Sequence, residues 1–361
     1  MSDQRELLAQ WSQSQGNLRR FLEDRALPPL DDAAQRAAGR AAAAAAVEET
    51  FGIDIDDFAL GVDSVGGAFE TAGRHKITPP DPEVPQDTEA AAFFDVDNTL
   101  IQGSSLILLA QGLFRKRFIS LSELAPALWK QFRYRVSGSE NAGDIAEGRE
   151  QALAVVKGKS VAELKAACRE IVDSRMLQKS YADTIELASM HLAAGQQVWL
   201  VSATPVQIGQ ALAETLGFTG ALGTVAEEDD GKFTGRLVGD ILHGPGKKHA
   251  VAALAALQQL DLSQCTAYSD SINDLPMLEM VGSPVAINPD RALRKHAKAQ
   301  GWEIRDYRSV RRVVRLSTLP ALGVAGAFSL WRLLSKRQGR THHGAGSHRS
   351  HRLGHPEHRA P

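Results

Sequence analysis

In the stretch "AAFFDVDNTLIQGSS" (residues 91–105), two aspartates stand two positions apart where an apolar run stops. A carboxylate at such a point can attack an electrophilic centre, and a second carboxyl group two residues on can give or take the proton the reaction moves. Asp95 and Asp97 are the candidates for those two tasks. Aspartate favours the turn after a strand, so a single one would carry little information. Two together, with three further polar motifs in order, are not explained that way. "QQVWLVSA" (196–203) ends in Ser202, and "CTAYSD" (265–270) ends in Asp270, followed by Asn273 and Asp274. Between them, "GPGKKHAVAAL" puts Lys247 and Lys248 at a predicted helix start.

These groups must be carried by a sheet. "AAAFFDV" (90–96), 196–203, 265–270 and "SPVAIN" (283–288) are short, nearly continuous apolar runs. Such runs suit strands buried on both faces, as in a parallel sheet covered by helices. Helical stretches separate them, for example Tyr181–Ala194 and His249–Gln259. "TVAEEDDGKFTGRLVG" reads as a β-hairpin turning at Asp230–Gly231. The fold class is therefore α/β with a doubly wound parallel sheet. In such sheets ligands bind at the carboxyl ends of the strands, which is where the polar motifs fall. Residues 106–180 have helical periodicity and no good strand, too long for a simple crossover, and read as a helical cap inserted after the first strand.

The chain has 361 residues and a formal net charge of -2, a balance that gives no general attraction to nucleic acid. Residues 1–90 hold 17 acidic and 8 basic side chains, and their Ala-rich segment lacks a large apolar stripe. Residues 1–76 are therefore expected to be an appendage, partly helical or disordered, and the Pro-rich stretch 77–89 a linker to a core over 90–310. Cys168 and Cys265 suit buried thiols, and His191, His249 and His296 lack metal-ligand spacing. The start has charges where a signal peptide needs an apolar stretch, so the expected compartment is the cytoplasm. Residues 311–337 form a basic-flanked apolar helix, with 316–334 a candidate membrane contact that is short for a full span and interrupted by Pro320. The His-rich tail, 338–361, reads as disordered.

The ordered set Asp95-Val-Asp97-Asn-Thr99, Ser202, Lys247 and Asp270 resembles the haloacid dehalogenase-like phosphatases. The helical insertion resembles the cap of their phosphoserine-phosphatase-like subgroup, subfamily IB. The resemblance covers about residues 91–306. It implies a phosphomonoester hydrolase that passes through an aspartyl-phosphate on Asp95, with Asp97 as general acid/base. Negative charges converging on a phosphate call for a hard cation. Mg²⁺ is expected on Asp95, Asp270 and the backbone carbonyl of Asp97, with Asp274 bracing that shell. Ser202 and Lys247 would bind the phosphoryl group, and Asn273 is added by the resemblance. Helical phase favours Lys247, which shares a face with Val251 and Leu254, and leaves Lys248 open.

Two positions depart from the family pattern. Ser269 stands where the subgroup commonly has Gly, and Ser104 stands where phosphoserine phosphatases carry a substrate-binding Glu. The substrate is accordingly read only as a small phosphomonoester. Asp97 argues against dehalogenase chemistry, which uses no acid/base carboxyl there. A phosphotransferase or mutase on the same scaffold, and an inactive membrane-associated binding protein, are the rival readings; the intact set of polar residues weighs against the second.

Overall fold

The computed structural model describes residues 32–73, 75–120 and 153–308. The chain divides into a unit ending at Arg305, which holds the sheet, and a second unit from Asp306, of which residues 306–308 are described. The predicted helix at 311–337, its membrane contact and the His-rich tail lie outside the described residues. Among those described, no helix is long and apolar enough to cross a membrane.

Strands β1 (Ala91–Asp95), β2 (Gln197–Pro205), β3 (Gly220–Asp229), β4 (Lys232–Val238), β5 (Thr266–Ser269), β6 (Ser283–Ile287) and β7 (Glu303–Arg305) form one sheet. Their order is β4-β3-β2-β1-β5-β6-β7, and every pairing except β3 with β4 is parallel. The apolar run of β1 is continuous because it is the middle strand: Ala91, Ala92, Phe93 and Phe94 are fully buried. The hairpin β3–β4 turns at Asp230 and Gly231, with φ of 47° and 71°, the left-handed pair that matches the twist of the arms. The chain leaves β1 for β2 on one side and returns to β5 on the other, so the carboxyl end of β1 is the switch point of the sheet. Register sharpens this. Asp95 lies opposite Val201, one residue before Ser202, and Phe94 lies opposite Tyr268, two before Asp270.

The helices are α1 (Asp32–Phe51), α2 (Ile55–Thr71), α3 (Ser105–Arg115), α4 (Val161–Ile171), α5 (Ala182–Ala193), α6 (Val206–Leu216), α7 (Pro245–Gln258), α8 (Leu275–Leu278) and α9 (Arg291–Gln300). Helices α3 and α4 lie within the stretch read as a cap, whose middle, 121–152, is outside the described residues. They meet closely, because Gly112 admits the side chain of Ile171. A π-turn over Val172–Met176 and a 3-10 turn over Leu177–Lys179 follow α4 and lead back toward α5.

The stretch before residue 77 does more than the sequence suggested. Helix α2 is capped by Asp54, whose carboxylate accepts the Asp56 N–H at 2.7 Å, and it packs along α7 and β3. Its buried Val65 and Ala68 belong to the main core, with Phe93, Trp199, Val225, Val251 and Leu254. The stripe is made of small residues, so hydrophobic bulk did not reveal it. At Gly61 the two helices come so close that a Cβ would sit 2.2 Å from the carbonyl oxygen of His249. The segment after α2 is extended and hydrogen-bonded to the core, through Thr78 N–H to Gly217 O (2.8 Å), Asp81 N–H to Ala193 O (2.9 Å) and Asp87 N–H to Ala194 O (2.8 Å).

A paired substitution tests the α2–α7 contact. Gly61→Ala should lower stability by about 1–3 kcal/mol, because the added methyl meets backbone rather than a movable side chain. Gly66→Ala, on the same helix with open space around it, should raise stability by about 0.5–1 kcal/mol through helix propensity. Denaturant unfolding of both variants reads the opposite signs.

Candidate active site

The site begins where β1 stops. Asp95 is buried at the strand end, and the Lys247 ammonium donates to its Oδ1 at 2.5 Å. The same ammonium donates to Asp274 Oδ2 at 2.7 Å, so one lysine is shared by two carboxylates, all three buried. Asp274 is held in turn by the Ser269 hydroxyl, which donates to Oδ2 at 2.6 Å. The departure at Ser269 thus has a use: its fully buried side chain fixes Asp274, and its Oγ also accepts the Ser271 N–H at 3.1 Å.

Helix α7 decides between the two lysines. Its entry is tight: Gly244 has φ of 55°, Pro245 opens the first turn, and a Cβ at Gly246 would lie 2.0 Å from the carbonyl oxygen of Ile241. From that start Lys247 points to the strand ends. Lys248 instead donates to the carbonyl of Gly52 at 3.0 Å, tying α7 to the α1–α2 turn.

The loop after Asp95 is a compact turn. The N–H groups of Leu100 and Ile101 both donate to Val96 O, and the Asn98 N–H donates to Ile101 O at 2.7 Å. Asn98 takes a left-handed conformation, φ 56°, that asparagine tolerates better than most residues. Its side-chain oxygen accepts the Gly103 N–H at 3.1 Å, and its carbonyl accepts from the buried Asn288 side chain at 2.9 Å. This turn swings Asp97 to the start of α3, where its Oδ1 accepts the Ser105 N–H at 2.8 Å and the Ser105 hydroxyl. Sequence reasoning missed Asn98, Asn288 and Ser105. The available signal was the asparagines themselves, since Asn is a common occupant of left-handed positions.

Ser202, also buried, shares a hydrogen bond with Thr204 Oγ1 at 2.9 Å and accepts the Thr204 N–H at 3.2 Å. Asp270 is half-buried directly after β5, and its carbonyl accepts the Asp290 N–H at 2.7 Å. Asp290 in turn accepts the Ile272 N–H at 3.0 Å and caps α9 at Leu293 N–H, fixing the loop that carries Asp270 and Asp274. Asn273 sits exposed in the 3-10 turn Ile272–Asp274. The structure therefore gathers Asp95, Lys247, Asp270 and Asp274 into one electrostatic cluster, with Asp97 beside it. A groove of about 700 Å³, lined in part by Thr50, Phe51, Leu275 and Met280, contains none of these acids.

Burial is the main force raising the Asp95 carboxyl, to about 8. Lys247 opposes it, and the charges of Asp274, Asp270 and Asp97 add to it. Lys247 responds in the opposite sense to ordinary burial: its two carboxylate partners outweigh desolvation and hold the ammonium protonated above its usual range. Among the described residues no group of three or more His, Cys, Asp or Glu side chains forms a metal cage. The expected ligand set needs none, having two carboxylates and a main-chain carbonyl. Its oxygen-only donors and surplus negative charge match a hard divalent cation.

Comparison with known proteins agrees with this geometry. The family model described as haloacid dehalogenase-like hydrolase matches residues 92–279. A Mycobacterium tuberculosis (strain H37Rv) protein named phosphoserine phosphatase SerB1 is 52% identical over 262 residues, covering 72% of this chain and 85% of that one. A Neisseria meningitidis serogroup C protein named histidinol-phosphatase is 31% identical over 221 residues, covering 60% of this chain and 98% of its own. A crystal structure of a Bordetella pertussis Tohama I protein of unknown function superposes with a TM-score of 0.55 at 30% identity, covering 61% of this chain and 99% of that one. With the motif set, the switch-point geometry and the matched region in agreement, the chain belongs to the haloacid dehalogenase-like hydrolase family.

Proposed function

We propose that this chain hydrolyses a small phosphomonoester in two steps through an aspartyl-phosphate on Asp95. The observation that supports this best is the buried Asp95–Lys247–Asp274 arrangement at the sheet's switch point, with Asp97 alongside. In the first step a carboxylate oxygen of Asp95 attacks phosphorus, the bond to the leaving oxygen breaks, and Asp97 supplies the proton that makes the departing group an alcohol. In the second, Asp97 takes a proton from water as that water attacks phosphorus, releasing inorganic phosphate and regenerating the Asp95 carboxylate. Lys247 balances charge on Asp95 and the phosphoryl oxygens, and Ser202 offers a hydroxyl to one of them. Asn273 is proposed as a further phosphate donor. Asp95, Asp270 and the Asp97 carbonyl would hold Mg²⁺, which supplies positive charge facing the phosphoryl group. Asp274 fixes Lys247 and, through Ser269, the loop bearing Asp270.

The names of the relatives put phosphoserine and histidinol phosphate among the compounds to assay. Ser104, half-buried at the head of α3, cannot offer the carboxylate that the family uses to hold phosphoserine's ammonium group. The substrate is therefore proposed at the level of a phosphomonoester.

The direct test is phosphate release from a panel of phosphorylated metabolites with and without Mg²⁺. Asp95→Asn should abolish release, and Asp97→Asn should slow it by about 10²–10⁴-fold. Turnover unchanged in Asp95→Asn would reject the nucleophile. A second test separates the lysines. Lys247→Met should abolish turnover and cost about 3–5 kcal/mol of stability by stranding buried carboxylates. Lys248→Met should keep turnover and cost at most about 1 kcal/mol, since its bond is exposed.

Stability should also depend on pH and metal together. Folding raises the Asp95 carboxyl from 3.8 to about 8, so the folded chain holds this proton more tightly than the unfolded one. The resulting stabilisation is complete below the unfolded value and is lost as pH rises through the folded one. Metal-free protein should thus melt at a lower temperature at pH 8 than at pH 6. Added Mg²⁺ should raise the melting temperature more at pH 8, where fewer protons compete for Asp95. Differential scanning calorimetry at both pH values checks the sign.

A further inference from the structure

The contact between Asp97 and the first residue of α3 is one-sided. Both donors, the Ser105 N–H at 2.8 Å and the Ser105 hydroxyl, bind the same oxygen, Oδ1. Asp97 Oδ2 has no hydrogen-bond partner among the described residues. Ser105 is 1% exposed while Asp97 is half-buried, so the donors sit on the protein side of the carboxyl group. A carboxyl group whose one oxygen accepts two hydrogen bonds carries its acidic hydrogen on the other.

We propose that Ser105 is a positioning residue for the general acid: by engaging Oδ1 twice it fixes the carboxyl plane and leaves Oδ2 as the oxygen that delivers the proton. This rests on the phosphatase reading and deepens it. In the first step the bond from Asp95 to phosphorus forms, the phosphorus–oxygen bond to the leaving group breaks, and the hydrogen on Oδ2 passes to the leaving oxygen. The serine hydroxyl keeps its own hydrogen throughout. Its contribution is orientation, which matters because proton transfer requires the acid within hydrogen-bond reach of the atom it serves. The consequence is specific. Loss of the hydroxyl should harm only reactions whose leaving group needs that proton.

The experiment compares kcat/KM for two esters of similar size in the Mg²⁺-loaded full-length protein. Benzyl phosphate leaves as an alkoxide that requires protonation, whereas 4-nitrophenyl phosphate leaves as a stabilised anion. Ser105→Ala should lower kcat/KM for benzyl phosphate by about 10–100-fold and leave that for 4-nitrophenyl phosphate within about twofold. Ser105→Thr, which keeps a hydroxyl, should restore the benzyl value. Equal losses on both esters, or no loss on either, would overturn the proposal, the former marking Ser105 as merely structural. Should Ser105→Ala fail to fold by circular dichroism, Ser105→Cys, a weaker donor of similar size, carries the same comparison. Absence of turnover of both esters and of the metabolite panel by the unsubstituted protein would instead reject the phosphatase reading, and the proposal with it.

Discussion

One buried ammonium group organises this molecule. Lys247 lies between Asp95 and Asp274 with its side chain 4% exposed, and the two carboxylates are nearly as enclosed. Removing ionisable groups from water is costly unless each finds a partner at short range. Here the geometry supplies one cation to two carboxyl groups, and Ser269 donates a further hydrogen bond to Asp274. The arrangement leaves a surplus of negative charge, since the charges of Asp270 and Asp97 also act on Asp95. That surplus fits a site prepared for a cation and an anionic substrate better than a structural ion pair alone.

Holding Lys247 at that point constrains α7, and α7 constrains much of the rest. The helix starts from a crowded turn, packs on the sheet through fully buried Ala250, Val251 and Leu254, and touches α2 closely enough to require Gly61. Lys248, one residue on, fastens it to the α1–α2 turn. Helices α1 and α2, before the Pro-rich stretch, thus help place a side chain of the site without carrying its chemistry. Their role is steric and works through small residues.

A second set of constraints shapes the loops at the strand ends. Asn98 and Asn288 both take left-handed conformations and bond to each other through the Asn288 amide, joining the loop after β1 to the end of β6. Asp290 then links β6 to the Asp270 loop while capping α9. These are local bonds with a distant effect. They orient Asp97 toward α3 and bring the Asp270–Asp274 loop against Lys247.

The sequence by itself determined the α/β class, the four strands seen as apolar runs, the hairpin at Asp230–Gly231, and the identities of Asp95, Asp97, Ser202, Asp270 and Asp274 as polar groups at strand ends. Those signals are local: continuous burial leaves continuous apolar runs, and the carboxyl ends of parallel strands share one edge. Tertiary structure decided what depends on groups far apart in the chain. It separated Lys247 from Lys248: helical phase favours Lys247 but leaves its neighbour open, and the packing of α7 turns Lys247 to Asp95 and Lys248 to Gly52. It gave Ser269 and Ser105 their partners, since a serine's sequence neighbourhood does not say which carboxylate its hydroxyl will reach. It also brought α2 into the core, because close approach of small residues leaves no hydrophobic bulk for a sequence pattern to register.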